Sequence, residues 1–190
     1  SQRELPGSLF LIGFMGAGKS AVSARLHKRY GMELLEMDQE IERREGMKIS
    51  RIFESRGEEY FRRAETDLLG ELQGRSGLVV SCGGGAAMRP ENVALMKQAG
   101  RIVLLRAKPE TILKRVSEND DRPLLRGRKT AEGIRELMDR RSPVYEAACD
   151  LAVDTDEKSV DEICREILNR VREAEGSSGK TGCHRSLRTV

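Results

Sequence analysis

The sequence predicts a three-layer α/β/α fold on a five-stranded parallel sheet, and three observations carry that prediction. Five short apolar runs alternate with helical stretches along the 190 residues, a pattern that gives parallel strands covered on both faces. The first run leads directly into a glycine-rich loop that opens a helix, an arrangement that turns main-chain amides toward a phosphate. The length suits one domain with a sizeable core.

In chain order, the first strand is expected at 9–12, where Leu-Phe-Leu-Ile reads as a buried run. The following helix spans about 19–30, with Ala21, Val22, Ala24 and Leu26 inward and Gly31 as its stop. A strand at 34–37 carries Glu36 and leads to Asp38; helices follow near 39–45, 49–55 and 58–73, with Gly46 at a helix end. The third strand, 78–82, runs into Gly83, Gly84 and Gly85. Pro90 opens a helix at 90–98 that stops before Gly100, ahead of a strand at 102–105. Pro109 opens the helix 109–117, and Pro143 bends or breaks a helical stretch at 131–148. A last strand at 151–153 precedes a helix at 160–175, for which Ser159 and Glu162 form a capping box. No internal repeat is visible.

In parallel sheets ligands collect beyond the carboxyl ends of the strands. After the first strand stand residues 13–20, Gly-Phe-Met-Gly-Ala-Gly-Lys-Ser, which fit Gly, any four, Gly-Lys-Ser/Thr. Such a loop cradles phosphates with backbone amides, its lysine reaches the outer phosphates, and its hydroxyl ligates Mg²⁺. A second partial match, Gly179-Lys180-Thr181, has Ala174 where the first glycine belongs and no strand before it. The third strand ends without an acid, so a metal-directed carboxylate falls to Glu36 or Asp38. Three consecutive glycines have no sheet or helix rationale and fit a ligand lying against bare backbone. Three arginine-bearing stretches complete the inventory: Phe61-Arg62-Arg63, the polar stretch 120–128 with the character of a lid, and Arg140-Arg141-Ser142-Pro143-Val144-Tyr145.

Composition excludes other classes. Residues 176–190 hold Lys180, Arg185 and Arg188 and no acid, which accounts for the whole net charge of +3. The neutral body, with 4% aromatics and no Trp, lacks the footprint of a nucleic-acid binder. No apolar run approaches the roughly 18 residues of a membrane span, and no signal-peptide pattern opens the chain. Cys82, Cys149, Cys164 and Cys183 are scattered and only His27 and His184 are present, so a zinc site is not expected and reduced thiols in the cytoplasm are.

Taken together, residues 13–20, Glu36 and Asp38, Phe53, Phe61-Arg62-Arg63, Gly83-Gly84-Gly85, Arg122-Pro123-Leu124-Leu125 and Arg141-x-Pro143-x-Tyr145 resemble shikimate kinase over about residues 7–172. The resemblance implies a P-loop kinase fold in one domain of residues 1–175, with a substrate-binding subdomain at about 38–65 and a lid at about 118–130; the basic stretch 176–190, rich in Gly and Ser, reads from its composition as a disordered tail. The resemblance also implies ATP-dependent phosphorylation of the 3-hydroxyl of shikimate, within aromatic amino-acid synthesis, by a cytoplasmic monomer with no nucleic-acid or membrane partner. Asp38 then binds shikimate hydroxyls and takes the proton, while Lys19 and Arg122 stabilise the transferring phosphoryl group. Arg62 and Arg141 clamp the carboxylate, with Phe53, Phe61, Gly83, Gly84 and Gly85 around the ring. ATP lies on Gly13, Met15, Gly16, Ala17, Gly18, Lys19, Ser20 and Ala21, with Arg115, Arg122 and Lys158 toward the nucleotide, and Mg²⁺ on Ser20 and, through water, Glu36. One departure is Glu36, where the family usually has aspartate. Arginine suits the carboxylate because its planar fork pairs with both oxygens.

A gluconate kinase would share the phosphate loop but lack Phe-Arg-Arg and Arg-x-Pro-x-Tyr. Nothing here provides the second base pocket of a nucleoside monophosphate kinase. A non-catalytic ATP-binding module would be expected to lose Lys19, Asp38 or the arginines, and all are present.

Overall fold

Five strands, β1 (Ser8–Ile12), β2 (Glu33–Glu36), β3 (Leu78–Ser81), β4 (Gly100–Arg106) and β5 (Leu151–Asp154), form one sheet in the order β2-β3-β1-β4-β5. Every pairing is parallel. The structure is a computed structural model and describes residue 5 and residues 7–117 and 131–178. The helices are α1 (Lys19–Tyr30), α2 (Met37–Glu45), α3 (Ile49–Arg56), α4 (Glu58–Glu71), α5 (Pro90–Ala99), α6 (Pro109–Ser117), α7 (Ala131–Ala148) and α8 (Val160–Ser178). A short 3-10 turn, Ala86–Met88, follows the three glycines.

The central strand shows why the fold has three layers. Leu9 and Leu11 belong to a core shared with Val22 and Leu26 of α1 and Ile163 and Ile167 of α8. Phe10 and Ile12 point the other way, into a core with Met37, Ile41, Ile52, Leu68 and Met96. Side chains alternate across a strand, so a run apolar at every position serves two helical layers. Burying each such side chain stabilises the fold by about 1.5–3 kcal/mol. Gly31 ends α1 in the left-handed region at φ 74°, its N–H on the Leu26 carbonyl, a conformation glycine adopts without steric cost. The Ser159–Glu162 capping box forms reciprocally, at 3.0 and 3.1 Å.

Four expectations change in detail. β2 stops at Glu36 and α2 begins at Met37, because Met37 and Ile41 are buried one helical turn apart while Asp38 and Glu40 favour the helix start. Ala21 is exposed rather than inward, since the buried face of α1 runs through Val22, Ser23 and Leu26. Pro143 does not break its helix: α7 runs through it, and the buried Tyr145 and Ala148 beyond it hold the last turn in place. α8 reaches Ser178, three residues into the stretch read as tail; residues 179–190 and the lid residues 118–130, Arg122 included, lie outside the described residues.

The path of the chain reverses at β1. The connection through α1 leads left to β2, β3 returns to fill the place between β2 and β1, and β4 and β5 fall to the right. Such a reversal opens a crevice at the carboxyl edge, where the phosphate loop stands beside Glu36 and Ser81, which are paired in register.

Candidate active site

The phosphate loop connects β1 to α1. Gly16 and Gly18 take positive φ, 80° and 103°, so that Gly18 can cap α1 in a left-handed conformation while the first-turn amides stay open. Lys19 folds back over the loop, its ammonium donating to the carbonyls of Gly13 and, at 3.2 Å, Phe14. Ser20 and Ala21 are exposed at the helix start. From behind, the Thr155 hydroxyl, at the end of β5, donates to Ala17 O at 3.2 Å and Arg106 O at 3.0 Å. This contact ties the loop to the neighbouring strands.

Three carboxylates gather beside the loop. Burial, then the nearby charge of Asp38, pushes the Glu36 carboxyl up, against a hydrogen bond from Ser20 that pulls it down. Asp38 stands in the first turn of α2, where a β-carbon on Gly83 would lie 2.8 Å from its Oδ1. Glu65 of α4 is fully buried, with Oε2 lacking a hydrogen-bond partner. Burial is also the main reason its carboxyl is raised; Arg62 opposes the shift and Asp38 adds to it. Together, the Ser20 hydroxyl and two carboxylates form a set of hard oxygen donors that suits Mg²⁺ retaining waters and phosphate ligands. Among the described residues no cluster of three or more His, Cys, Asp and Glu makes an all-protein cage. Cys82 is buried, and burial pushes its thiol far up, which leaves it inert.

The arginine-bearing side of the cleft is built around the glycines. Arg62 Nη1 donates to Glu65 Oε1 at 2.7 Å, and Nη2 reaches the exposed Glu58 at 3.4 Å. Its Cζ lies 2.6 Å from where a β-carbon on Gly85 would stand, and Arg141 Nη1 lies 3.1 Å from the equivalent point on Gly84. The glycines are therefore needed for the space of a side chain, which the site's own charged groups fill. Arg141 stacks at 5.7 Å over the ring of Phe14, a phosphate-loop residue, and its Nη1 is buried without a hydrogen-bond partner. Arg62, Gly85 and Arg141 line a cavity of about 310 Å³ with Glu58, Met88, Arg89 and Pro90. Phe53 and Phe61 meet edge to face at 5.2 Å and pack in the core, supporting this wall from behind.

On the opposite flank, Arg115 Nη1 donates to Gly16 O at 2.7 Å, which places its guanidinium over the loop. Asp156 accepts from the Lys108 N–H at 2.8 Å and from the Thr111 hydroxyl, capping α6. Lys158 is paired with Glu166 at 2.9 Å. The structure thus brings Arg115 to the phosphate loop and engages Lys158 along α8.

Sequence reasoning missed two charged residues here. Glu65 anchors Arg62, and the signal was its position three residues later on the same helix face. Arg89 pairs with Glu59 at 2.8 Å and Glu91 at 3.4 Å, tying the start of α5 to α4; nothing local marks it. No helix among the described residues is long and apolar enough to cross a membrane.

The family model described as shikimate kinase matches residues 15–172. A shikimate kinase of Dehalococcoides mccartyi is 40% identical over 176 residues, which cover 93% of this chain and 99% of that protein. The structure of an Acinetobacter baumannii shikimate kinase in complex with shikimate superposes with a TM-score of 0.84 at 35% identity, over 90% of this chain and 96% of the other. A Sinorhizobium meliloti gluconokinase matches with a TM-score of 0.59 at 18% identity, over 95% of this chain and 100% of the other, a likeness of fold alone.

Proposed function

The chain belongs to the shikimate kinase family, and from that premise we propose how its residues divide the work. The reaction is ATP-dependent phosphorylation of the 3-hydroxyl of shikimate, giving shikimate 3-phosphate and ADP within aromatic amino-acid synthesis. One observation carries the assignment to this cleft. Arg141 keeps a buried, unpartnered Nη1 while its guanidinium lies on Phe14 of the phosphate loop. An unsatisfied buried donor is costly, and a carboxylate arriving beside the phosphates relieves that cost.

Arg141 and Arg62 receive the shikimate carboxylate. Glu65 holds Arg62 in place, and Gly84 and Gly85 leave room for both guanidiniums. Phe53 and Phe61 back the ring site. Asp38, at the first turn of α2, orients the ring hydroxyls and takes the proton of the attacking one as the oxygen bonds to the γ-phosphorus and ADP departs. Lys19 exchanges its carbonyl partners in the loop for phosphate oxygens. Phosphoryl transfer needs mainly alignment and neutralisation of charge, and Arg122, outside the described residues, supplies a further cation. Ser20 and, through water, Glu36 would hold Mg²⁺, which neutralises phosphate oxygens when bound. Gly13, Met15, Gly16, Ala17, Gly18 and Ala21 form the phosphate cradle, while Arg115 and Lys158 border the purine.

A monomer working in the cytoplasm, which the resemblance to the family implies, completes the reading. The deciding experiment follows ADP release with ATP and Mg²⁺. Shikimate-dependent release is expected; release with gluconate in its place, or nucleotide binding without turnover, overturns the reading.

A further inference from the structure

The hydroxyl of Tyr145 stands where three parts of the site meet. It donates to the carbonyl of Gly84, and the Arg141 guanidinium, one turn earlier on α7, lies close enough to pull its ionisation down against the effect of burial. A β-carbon on Gly84 would stand 3.1 Å from Arg141 Nη1 and 3.8 Å from the Tyr145 hydroxyl. Arg141 has no carboxylate partner among the described residues, and its Nη1 has no hydrogen bond. Its orientation therefore rests on the Phe14 ring beneath it, on the Gly84 backbone and on Tyr145.

We propose that Tyr145 is a positioning residue for acid recognition, its hydroxyl fixing the Gly84 backbone and the Arg141 guanidinium together so that Nη1 meets the incoming carboxylate. A phenol suits the task. Its ring is 4% exposed and packs in the core, so it is rigid, and its oxygen donates to the carbonyl while its lone pairs face the cation. A phenylalanine would fill the same space without linking the two groups. The inference rests on Arg141 as the receiver of the shikimate carboxylate.

Calorimetric titration of Tyr145→Phe with shikimate and with its methyl ester, which lacks the negative charge, tests it. The shikimate Kd is expected to rise about three- to tenfold, the effect of one lost hydrogen bond. The ester Kd and the ATP Kd are expected to match those of the parent. Equal weakening of acid and ester, parallel loss of ATP affinity, or an unchanged shikimate Kd each overturns the proposal. Arg141→Ala, titrated alongside, separates the two levels. If it weakens shikimate while Tyr145→Phe does not, the positioning role alone falls; if it leaves shikimate untouched, the carboxylate assignment itself is wrong.

Discussion

A β-carbon on Gly85 would stand 2.6 Å from the Cζ of Arg62, so the third glycine and the guanidinium of Arg62 claim the same space. Sequence alone suggested that the bare backbone awaited a ligand. The structure shows that it admits the protein's own guanidinium.

Gly85→Ala is therefore expected to spare the fold and harm the site. Gly85 sits at φ −95°, which alanine adopts freely, and the displaced group is the end of a long side chain. Thermal melting should change by no more than a few degrees, while the shikimate KM rises about ten- to a hundredfold through loss of a charge-assisted contact. An unchanged KM would show that Arg62 has no part in binding.

Arg62→Ala and Lys19→Ala should split the two substrates. The first is expected to raise the shikimate KM about a hundredfold and leave nucleotide affinity nearly intact, as truncating one partner of a buried charge pair does. The second should lower kcat by about a hundred- to a thousandfold and weaken ATP. Steady-state kinetics with each substrate varied decides; equal losses on both sides would place Arg62 in the wrong pocket.

Glu65→Gln should trade binding for stability in a pH-dependent way. The Glu65 carboxyl is raised, chiefly by burial, so folding favours its protonated form and its ionised form costs stability. Below the ordinary carboxylate range both states are protonated and the substitution gains nothing. As pH rises through the raised value, the native protein loses stability that the variant keeps. Melting curves between pH 4 and pH 8 should show the variant's advantage growing with pH, while its shikimate KM rises because Arg62 has lost its anchor. An advantage that shrinks with pH would mean that the Arg62 pairing outweighs burial.

Glu36→Asp is expected to keep the enzyme active, with kcat within about tenfold, because the proposed contact to Mg²⁺ through water adapts to one methylene. Complete inactivation, measured by coupled ADP assay over a Mg²⁺ titration, would assign Glu36 another task.

Much of this was legible in the chain because periodicity and punctuation agree. The apolar run 9–12 marked the central strand, Gly31 and the Ser159–Glu162 box marked helix ends, and the loop 13–20 marked the phosphate site. The β2–α2 junction was read one residue late because Met37 fits a buried strand and a buried helix turn equally well. Ala21 was misplaced because a small apolar residue at a helix start does not by itself reveal its face. Glu65 and Arg89 escaped because charged residues on helices are usually solvated, and only tertiary packing shows that one is buried and the other pinned to Glu59. The shared space of Gly85 and Arg62 is a relation between distant parts of the chain, which no local pattern encodes.

The sheet's opposite rim, where β3 begins at Leu78 and the turn before it is sewn to the first strand through Gly77 and Gly7, has a practical consequence. Four strand residues separate that rim from the chemistry, about 13 Å at the usual rise. A reporter or surface tether grafted into residues 74–76 would thus report on the enzyme while it turns over, without crowding either substrate's route in.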